Sequence, residues 1–232
     1  MAWNFAEQIH SLTGFDAAST SDSETGEDFN LLANQWLVDA AKEIINMMPQ
    51  ELKQKCSVVS VLNATNGTTL DLDGKGKILQ VTRKYASDKH QVPCREVSPS
   101  LADLANDSSS MHAASSTDPI FYKVSNSSSA STLFVLPTPT DNEPSNVYHV
   151  GYPPNSTAWD GSNLPGAATS IANFPDELEH LVPLRAAINA LEYQAVQEED
   201  PELYLPLIQN LKQDYQQGLQ MLGVAQPQQG AR

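Results

Sequence analysis

The stretch Asn173-Phe-Pro-Asp-Glu-Leu-Glu-His-Leu-Val-Pro-Leu-Arg-Ala-Ala-Ile-Asn-Ala-Leu-Glu192 decides how this chain is built. Leu178, Leu181, Val182, Ile188 and Leu191 lie near one stripe, at the spacing of an amphipathic helix. Asp176, Glu177 and Glu179 stand at its start, where carboxylates oppose the positive end of the helix dipole. Pro183 falls inside the pattern, and an interior proline costs about 3 kcal/mol or more, so a kink or restart is expected at Pro183. An acidic break follows, and a second helix opens with Asp200 as cap and Pro201 at its first position. Tyr204, Leu207, Ile208, Leu211, Tyr215, Leu219 and Leu222 mark its apolar face, and Gly223 ends it. Each helix is too short to be stable alone, so each stripe needs a partner.

A partner is predicted near the other end. Leu32, Trp36, Ala40, Ile44 and Met47 or Met48 recur at helical spacing, joined by Leu37, Ala41 and Ile45. Asp28 or Asn30 caps this helix and Pro49 stops it. Between Cys56 and Tyr152 the chain reads as short strands. They cover Ser57–Asn63, Thr68–Leu72, Lys77–Tyr85, Pro119–Val124, Thr132–Leu136 and Asn146–Tyr152. Asn66-Gly67 reads as a turn and Asp73-Gly74-Lys75-Gly76 as a hairpin turn, and another hairpin tip falls at Ser125–Ser129. The polar stretch Ser98–Ser116 carries only a weak helical or turn-like patch.

The predicted fold class is therefore α+β: a helical bundle formed by an N-terminal and two C-terminal helices, with an inserted small antiparallel β-sandwich or barrel. The expected boundaries are a mobile acidic arm over 1–27, in which Phe5 to Leu12 forms a short amphipathic turn, then a bundle helix over 28–55. The β-rich domain covers 56–154, a linker 155–172, the C-terminal helices 173–223 and an extended tail 224–232.

The formal net charge is −15, unevenly spread. Residues 1–30 hold six acids and no Lys or Arg, and 173–222 hold nine acids against Arg185 and Lys212. A chain that grips nucleic acid clusters cations to release counterions, and this one does the opposite. An acidic surface suits a channel through which DNA slides without sticking. Cys56 and Cys94 form neither a disulfide framework nor a metal set and read as buried thiols. No signal peptide and no bilayer span is expected. Five Asn-x-Ser/Thr sequons, at Asn63, Asn66, Asn106, Asn126 and Asn155, follow from the Ser/Thr/Asn-rich composition.

Catalytic motifs are not evident. Asp71-Leu-Asp-Gly-Lys-Gly76 invites a calcium reading, but Lys75 stands where an EF-hand loop needs an oxygen ligand and Thr82 where it needs a carboxylate, leaving a turn with solvated acids. His10, His90, His112, His149 and His180 are scattered, without ligand spacing. No metal, cofactor or enzymatic activity is expected.

The segment Phe174–Leu191 resembles the C-terminal helix of head-to-tail adaptor (connector) proteins of tailed bacteriophages. In that family it commonly reads as Pro and acids, an apolar run, then Ala-Ala-Ile and Leu. Trp36-Leu-Val-Asp-Ala-Ala-Lys-Glu-Ile-Ile-Asn-Met-Met-Pro49 fits the same family, as does the strand Ile78–Lys84 with its partner Cys94–Val97. The resemblance implies a virion protein assembled in the host cytoplasm, which forms a ring, usually a dodecamer. Its implied neighbours are the portal protein, tail nozzle or fibre proteins, and passing DNA, with no membrane. On this view Gln226, Pro227, Gln228, Gln229 and Arg232 form a tail that docks on a partner. Two other functions remain open: a receptor- or carbohydrate-binding module in which Trp159, Tyr148 and Tyr152 stack on sugars, and a hydrolase built on scattered acids.

Overall fold

In a computed structural model that describes residues 3–15, 29–86, 90–125, 131–154, 159–161, 163–197 and 201–221, the chain divides into two units. One unites Met1–Cys56 with Tyr152–Arg232, and the other is the uninterrupted Ser57–Gly151. The first half of the chain supplies α1 (Phe5–Thr13), α2 (Phe29–Met47), α3 (Gln50–Lys53), β1 (Ser57–Leu62), β2 (Thr69–Asp71), β3 (Lys75–Lys84), β4 (Gln91–Pro93) and β5 (Arg95–Glu96). The second half supplies α4 (Ala102–Asn106), β6 (Ile120–Ser125), β7 (Ser131–Leu136), β8 (Ser145–Gly151), α5 (Asp176–Glu179), α6 (Leu181–Gln197) and α7 (Leu205–Met221). The chain is thus mixed α+β.

In the two-ended unit α6 is the hub, and α1, α2 and α7 all pack on it. Leu181, Val182, Ile188 and Leu191 are buried as their spacing demands, but so are Ala186, Ala187 and Ala190. These small side chains let neighbours approach α6 from more than one direction. The interruption expected at Pro183 falls three residues earlier, at His180. Pro183 sits in the first turn of α6, where its missing N–H has no intrahelical partner to lose. Its ring is incompatible with a helical carbonyl four residues back, at Glu179, and Glu179 ends α5.

The expected N-terminal arm over 1–27 is corrected in its first part. Asn4 and Glu7 form a reciprocal capping box: Glu7 N–H donates to Asn4 Oδ1 at 2.8 Å, and Asn4 N–H donates to Glu7 Oε2 at 2.9 Å. Gly14, left-handed at φ 78°, closes the helix, and Phe5, Ala6 and Ile9 are buried. Residues 3–15 therefore belong to the helical unit, while 16–28 lie outside the described residues. The second C-terminal helix is also corrected. Pro201 opens a 3-10 turn, Pro201–Leu203, and α7 proper begins at Leu205.

In the Ser57–Gly151 unit the strands form two four-stranded sheets, ordered β1-β8-β3-β4 and β2-β7-β6-β5. Neither sheet closes on itself, so the barrel alternative is excluded. Among the described residues every strand pairing is antiparallel except β5 with β6. Leu62, Val81 and Val147 from the first sheet share one buried cluster with Phe121, Leu133 and Val135 from the second.

Two expected connections differ. The Asp73-Gly74 turn is no hairpin, because β2 pairs in one sheet and β3 in the other. Gly74 at φ 65° and the Asp73 N–H bonded to Asp71 Oδ1 make a tight turn that serves a change of sheet equally well. The expected partner of β3 at Cys94–Val97 is split. Gln91–Pro93 pairs with β3, Arg95–Glu96 joins the other sheet, and the chain crosses between them at Cys94. The unplaced stretch Ser98–Ser116 holds a 3-10 turn at Pro99–Leu101 and then α4, with Ala105 buried and its carbonyl accepting from Ala114 N–H.

Gly76 on β3 has no room for a side chain. A Cβ there would stand 2.8 Å from Val150 Cβ and 3.0 Å from the Val150 carbonyl oxygen. Backbone cannot yield as a side-chain tip can. Gly76→Ala is expected to cost this unit about 1–3 kcal/mol through overpacking, measured as a lowered urea midpoint.

Candidate functional site

The side of the two sheets next to Cys94 holds a groove of about 720 Å³. Leu72, Ile78, Val81, Cys94 and Phe121 supply its apolar lining. Lys75 and Lys77 from β3, Lys123 from β6, Asp73 and Glu96 supply its charged lining. Lys123 Nζ pairs with Glu96 Oε1 at 2.7 Å. Burial pushes the Cys94 thiol up to about 12 and the Cys56 thiol up to about 11, each slightly eased by a nearby cation. Both are thus protonated near neutrality, which denies them the thiolate a nucleophile needs.

One wall of the groove is the N-terminal part of β3. There β3 pairs with β8 through two register shifts, between Lys75 and Ile78 and between Ile78 and Gln80. β4 covers only Thr82, Arg83 and Lys84 on the opposite side. Such irregularities re-aim side chains and are common beside binding sites.

His149, on β8, is buried between Val58 and Ile78 of the flanking strands. Its Nδ1–H donates to the Val150 carbonyl at 3.2 Å, so Nε2 of the neutral ring accepts from the Ser60 hydroxyl at 3.0 Å. Burial lowers its pKa below the ordinary histidine value, the Lys75 charge lowers it further, and the Val150 bond partly opposes both. The unfolded chain then binds a proton that the folded one resists. The resulting stability is fully present above about pH 6.5 and is lost as pH falls below it, towards the folded pKa. Acid titration of thermal stability should show an added slope of up to about 1.4 kcal/mol per pH unit in that window, absent from His149→Gln.

The residues singled out from sequence are not gathered into one site. Trp159 is only 1% exposed and belongs to the helical unit, where its ring meets Phe5 edge-on at 5.7 Å. Tyr152, also in that unit, donates its hydroxyl to Asn46 Oδ1 at 2.7 Å, whereas Tyr148 lies on β8. Trp159 cannot stack on a sugar from inside a core. The Asp71–Gly76 turn spends Asp71 Oδ1 on its own backbone, and among the described residues no three metal-ligating side chains come together. Glu177 pairs with Lys55 at 2.5 Å, and that hydrogen bond holds its carboxyl below the usual range. Glu179 Oε1 accepts from Ile171 N–H at 2.7 Å, while burial raises its pKa. His180 is exposed as periodicity suggested. The docking-tail residues Gln226, Pro227, Gln228, Gln229 and Arg232, and the cap Asp200, lie outside the described residues.

The helical unit has its own notable surface. Glu43 of α2 pairs with Arg185 of α6 at 2.8 Å, and the Arg185 guanidinium lies 6.0 Å from the Tyr215 ring of α7, joining three helices. Lys212 pairs with Glu192 at 2.6 Å, fixing α7 to α6 a second time. Where α6 gives way to α7, apolar side chains reach solvent. Val196 is 84% exposed, Leu203 is 74% exposed, and Leu205 and Leu207 are also exposed. Among the described residues no helix is long and apolar enough to cross a membrane. No protein-family model matches the chain, and no curated protein matches it in sequence.

Proposed function

We propose that this chain is a structural virion protein, a head-to-tail adaptor that forms a ring between portal and tail around the DNA passage. On this reading the two-ended unit is a helical bundle and the Ser57–Gly151 unit an inserted β-sandwich, the organisation that the sequence resemblance implies. The observation that carries the proposal is the row of apolar side chains at the α6–α7 junction, Val196, Leu203, Leu205 and Leu207, left in solvent by a single copy. Scattered exposed apolar residues are ordinary, but four at the end of one helix pair supply a face for a neighbour to cover. Contacts of one face with a different face of the next copy close into a ring when the rotation permits. The acid-rich helices suit a passage that DNA traverses without binding. Portal above and tail nozzle or fibre proteins below complete the set of partners, with twelve copies as the resemblance implies.

Imaging of purified protein, alone and with portal, tests this. A ring with a central hole is expected, and a stable monomer in both samples defeats the proposal. Leu203→Asp should leave folding stability within about 0.5 kcal/mol, since the side chain is exposed. It should shift the assembly towards smaller species on gel filtration with mass detection.

A further inference from the structure

We infer that the outer edge of β1 is a self-pairing surface, on which β1 of a second copy of this chain adds in antiparallel register about Ser60. This edge belongs to the Ser57–Gly151 unit, whereas the proposed ring uses a face of the helical unit, so the two stand or fall separately.

Each sheet ends in two edge strands, and three of the edges are blunted. β2 has 3 residues and ends in Asp71, β4 has 3 and ends in Pro93, and β5 is the charged pair Arg95–Glu96. Shortness, charge and proline are the devices that keep an edge from templating another chain. β1 has none of them. It runs for 6 residues as Ser57-Val-Val-Ser-Val-Leu62, without charge or proline, and leaves Val59 45% and Val61 42% exposed.

The direction of its free backbone groups follows from the ladder. Lys84 N–H donates to the Pro144 carbonyl, and on the other side of β3 the Val81 carbonyl accepts from Cys94 N–H. Antiparallel alternation then turns Thr82 and Asn146 towards each other, and turns Ser145 and Val147 towards β1, opposite Leu62 and Ser60. Val59 and Val61 therefore present N–H and C=O to the outer edge. Asn63 agrees with this alternation, since its N–H leaves the ladder for the Gly67 carbonyl. Among the described residues β1 pairs with β8 alone.

The strand itself names its occupant. Val59-Ser60-Val61 reads the same in both directions. An antiparallel copy centred on Ser60 sets Val59 of each copy opposite Val61 of the other, and about four hydrogen bonds close between them. The valine side chains share one face of the joined sheet, forming an apolar strip that a single copy leaves half in water. A slip by one residue sets the outward face of one sheet beside the inward face of the other and loses the strip. A twofold pair is closed, so it consumes the edge without propagating. Ring neighbours are related by one repeated rotation, so the pair is the form in which unassembled chain shields this edge. A single strand junction is small, and the association is weak and concentration-dependent.

The test uses the full chain carrying Leu203→Asp, which removes the face assigned to the ring, and reads mass by sedimentation equilibrium at micromolar concentrations. Pairs are expected. Adding Val59→Lys with Val61→Lys sets lysine opposite lysine and should weaken pairing at least about tenfold. Adding Val59→Lys with Val61→Glu sets each lysine opposite a glutamate only in the register about Ser60, and should recover pairing to within about threefold of the parent. Val61→Pro removes an outward donor and none that faces β8, and should also weaken pairing about tenfold. Far-ultraviolet dichroism matching the parent shows that each variant is folded. In the unsubstituted chain, amide exchange at Val59 and Val61 should slow as concentration rises, and this slowing without rings would defeat the ring reading alone. A Leu203→Asp chain that stays monomeric, a Lys/Lys variant that pairs as well as its parent, or a Lys/Glu variant no stronger than the Lys/Lys one would each overturn the inference.

Discussion

Trp159→Ala is expected to destabilise the helical unit by about 3–5 kcal/mol, the range for removing a buried large aromatic side chain. The indole is 1% exposed, so water cannot fill the space it vacates without meeting apolar walls. Its edge-on contact with Phe5, at 72° between ring planes, disappears with it. The Nε1–H that now donates to the Pro154 carbonyl at 2.7 Å is also lost. Around the ring, Trp159 N–H donates to the Asn163 carbonyl and Ala172 N–H donates to the Trp159 carbonyl, so the side chain anchors a segment that is itself tied together. Trp159→Phe should recover most of the packing and still cost about 1–3 kcal/mol, the penalty for leaving Pro154 without its donor. Thermal unfolding followed by far-ultraviolet dichroism reads both variants. A sugar-stacking role requires a different outcome: an unchanged melt with lost glycan binding.

The other large effect lies in the second unit. Arg83→Met should cost about 3–5 kcal/mol, as expected when one member of a buried charged set is removed. The Arg83 side chain is 3% exposed, and its guanidinium acts as a clamp on the chain between β7 and β8. Nε donates to the Pro137 carbonyl at 3.0 Å and Nη1 to the Lys84 carbonyl at 3.2 Å, while Nη2 reaches Glu143 Oε2 at 2.8 Å. The planar fork satisfies acceptors in several directions at once, which lysine cannot imitate, so Arg83→Lys should recover only part of the loss. Glu143→Gln should be milder, at about 1–3 kcal/mol, because the carbonyls still surround the cation and Glu143 is partly exposed. Urea unfolding of the three variants orders them. Equal effects would show that the ion pair, and not the carbonyl clamp, dominates.

Periodicity, caps and turn residues are local signals, and they specify local structure well. Expected from Asp28 or Asn30 to Pro49, α2 runs from Phe29 to Met47, because a broad apolar stripe met a proline stop. The strands expected at Ser57–Asn63, Pro119–Val124, Thr132–Leu136 and Asn146–Tyr152 are β1, β6, β7 and β8, with small shifts at their ends. Pairing was harder, because it is set by long-range packing. A glycine at positive φ closes a hairpin or redirects a strand into another sheet, and Asp73-Gly74 gives no local sign of which. Cys94 sits within what reads as one strand, and the change of sheet there leaves no compositional mark. The amphipathic turn at Phe5–Leu12 is visible in sequence, but its acidic surroundings mask that it is a capped helix, Phe5–Thr13, of the helical unit, although the capping box is explicit in Asn4 and Glu7. The alanine surface of α6 leaves little mark in the pattern, since alanine contributes little to an apolar stripe yet sets how closely helices approach. The groove has no local signature, because its lysines come from β3 and β6, strands far apart in sequence.

The two-ended construction of the helical unit has a consequence during synthesis. The apolar side of α2 is complete at Met47, but its partner α6 begins at Leu181, after the whole Ser57–Gly151 unit has been made. At roughly 5–20 residues per second, a ribosome takes on the order of ten seconds to cover that interval. Through it Leu37, Ala40, Ile44 and Ile45 have no α6 to rest against. During synthesis the apolar side of α2 therefore waits for its native partner until the last part of the chain emerges.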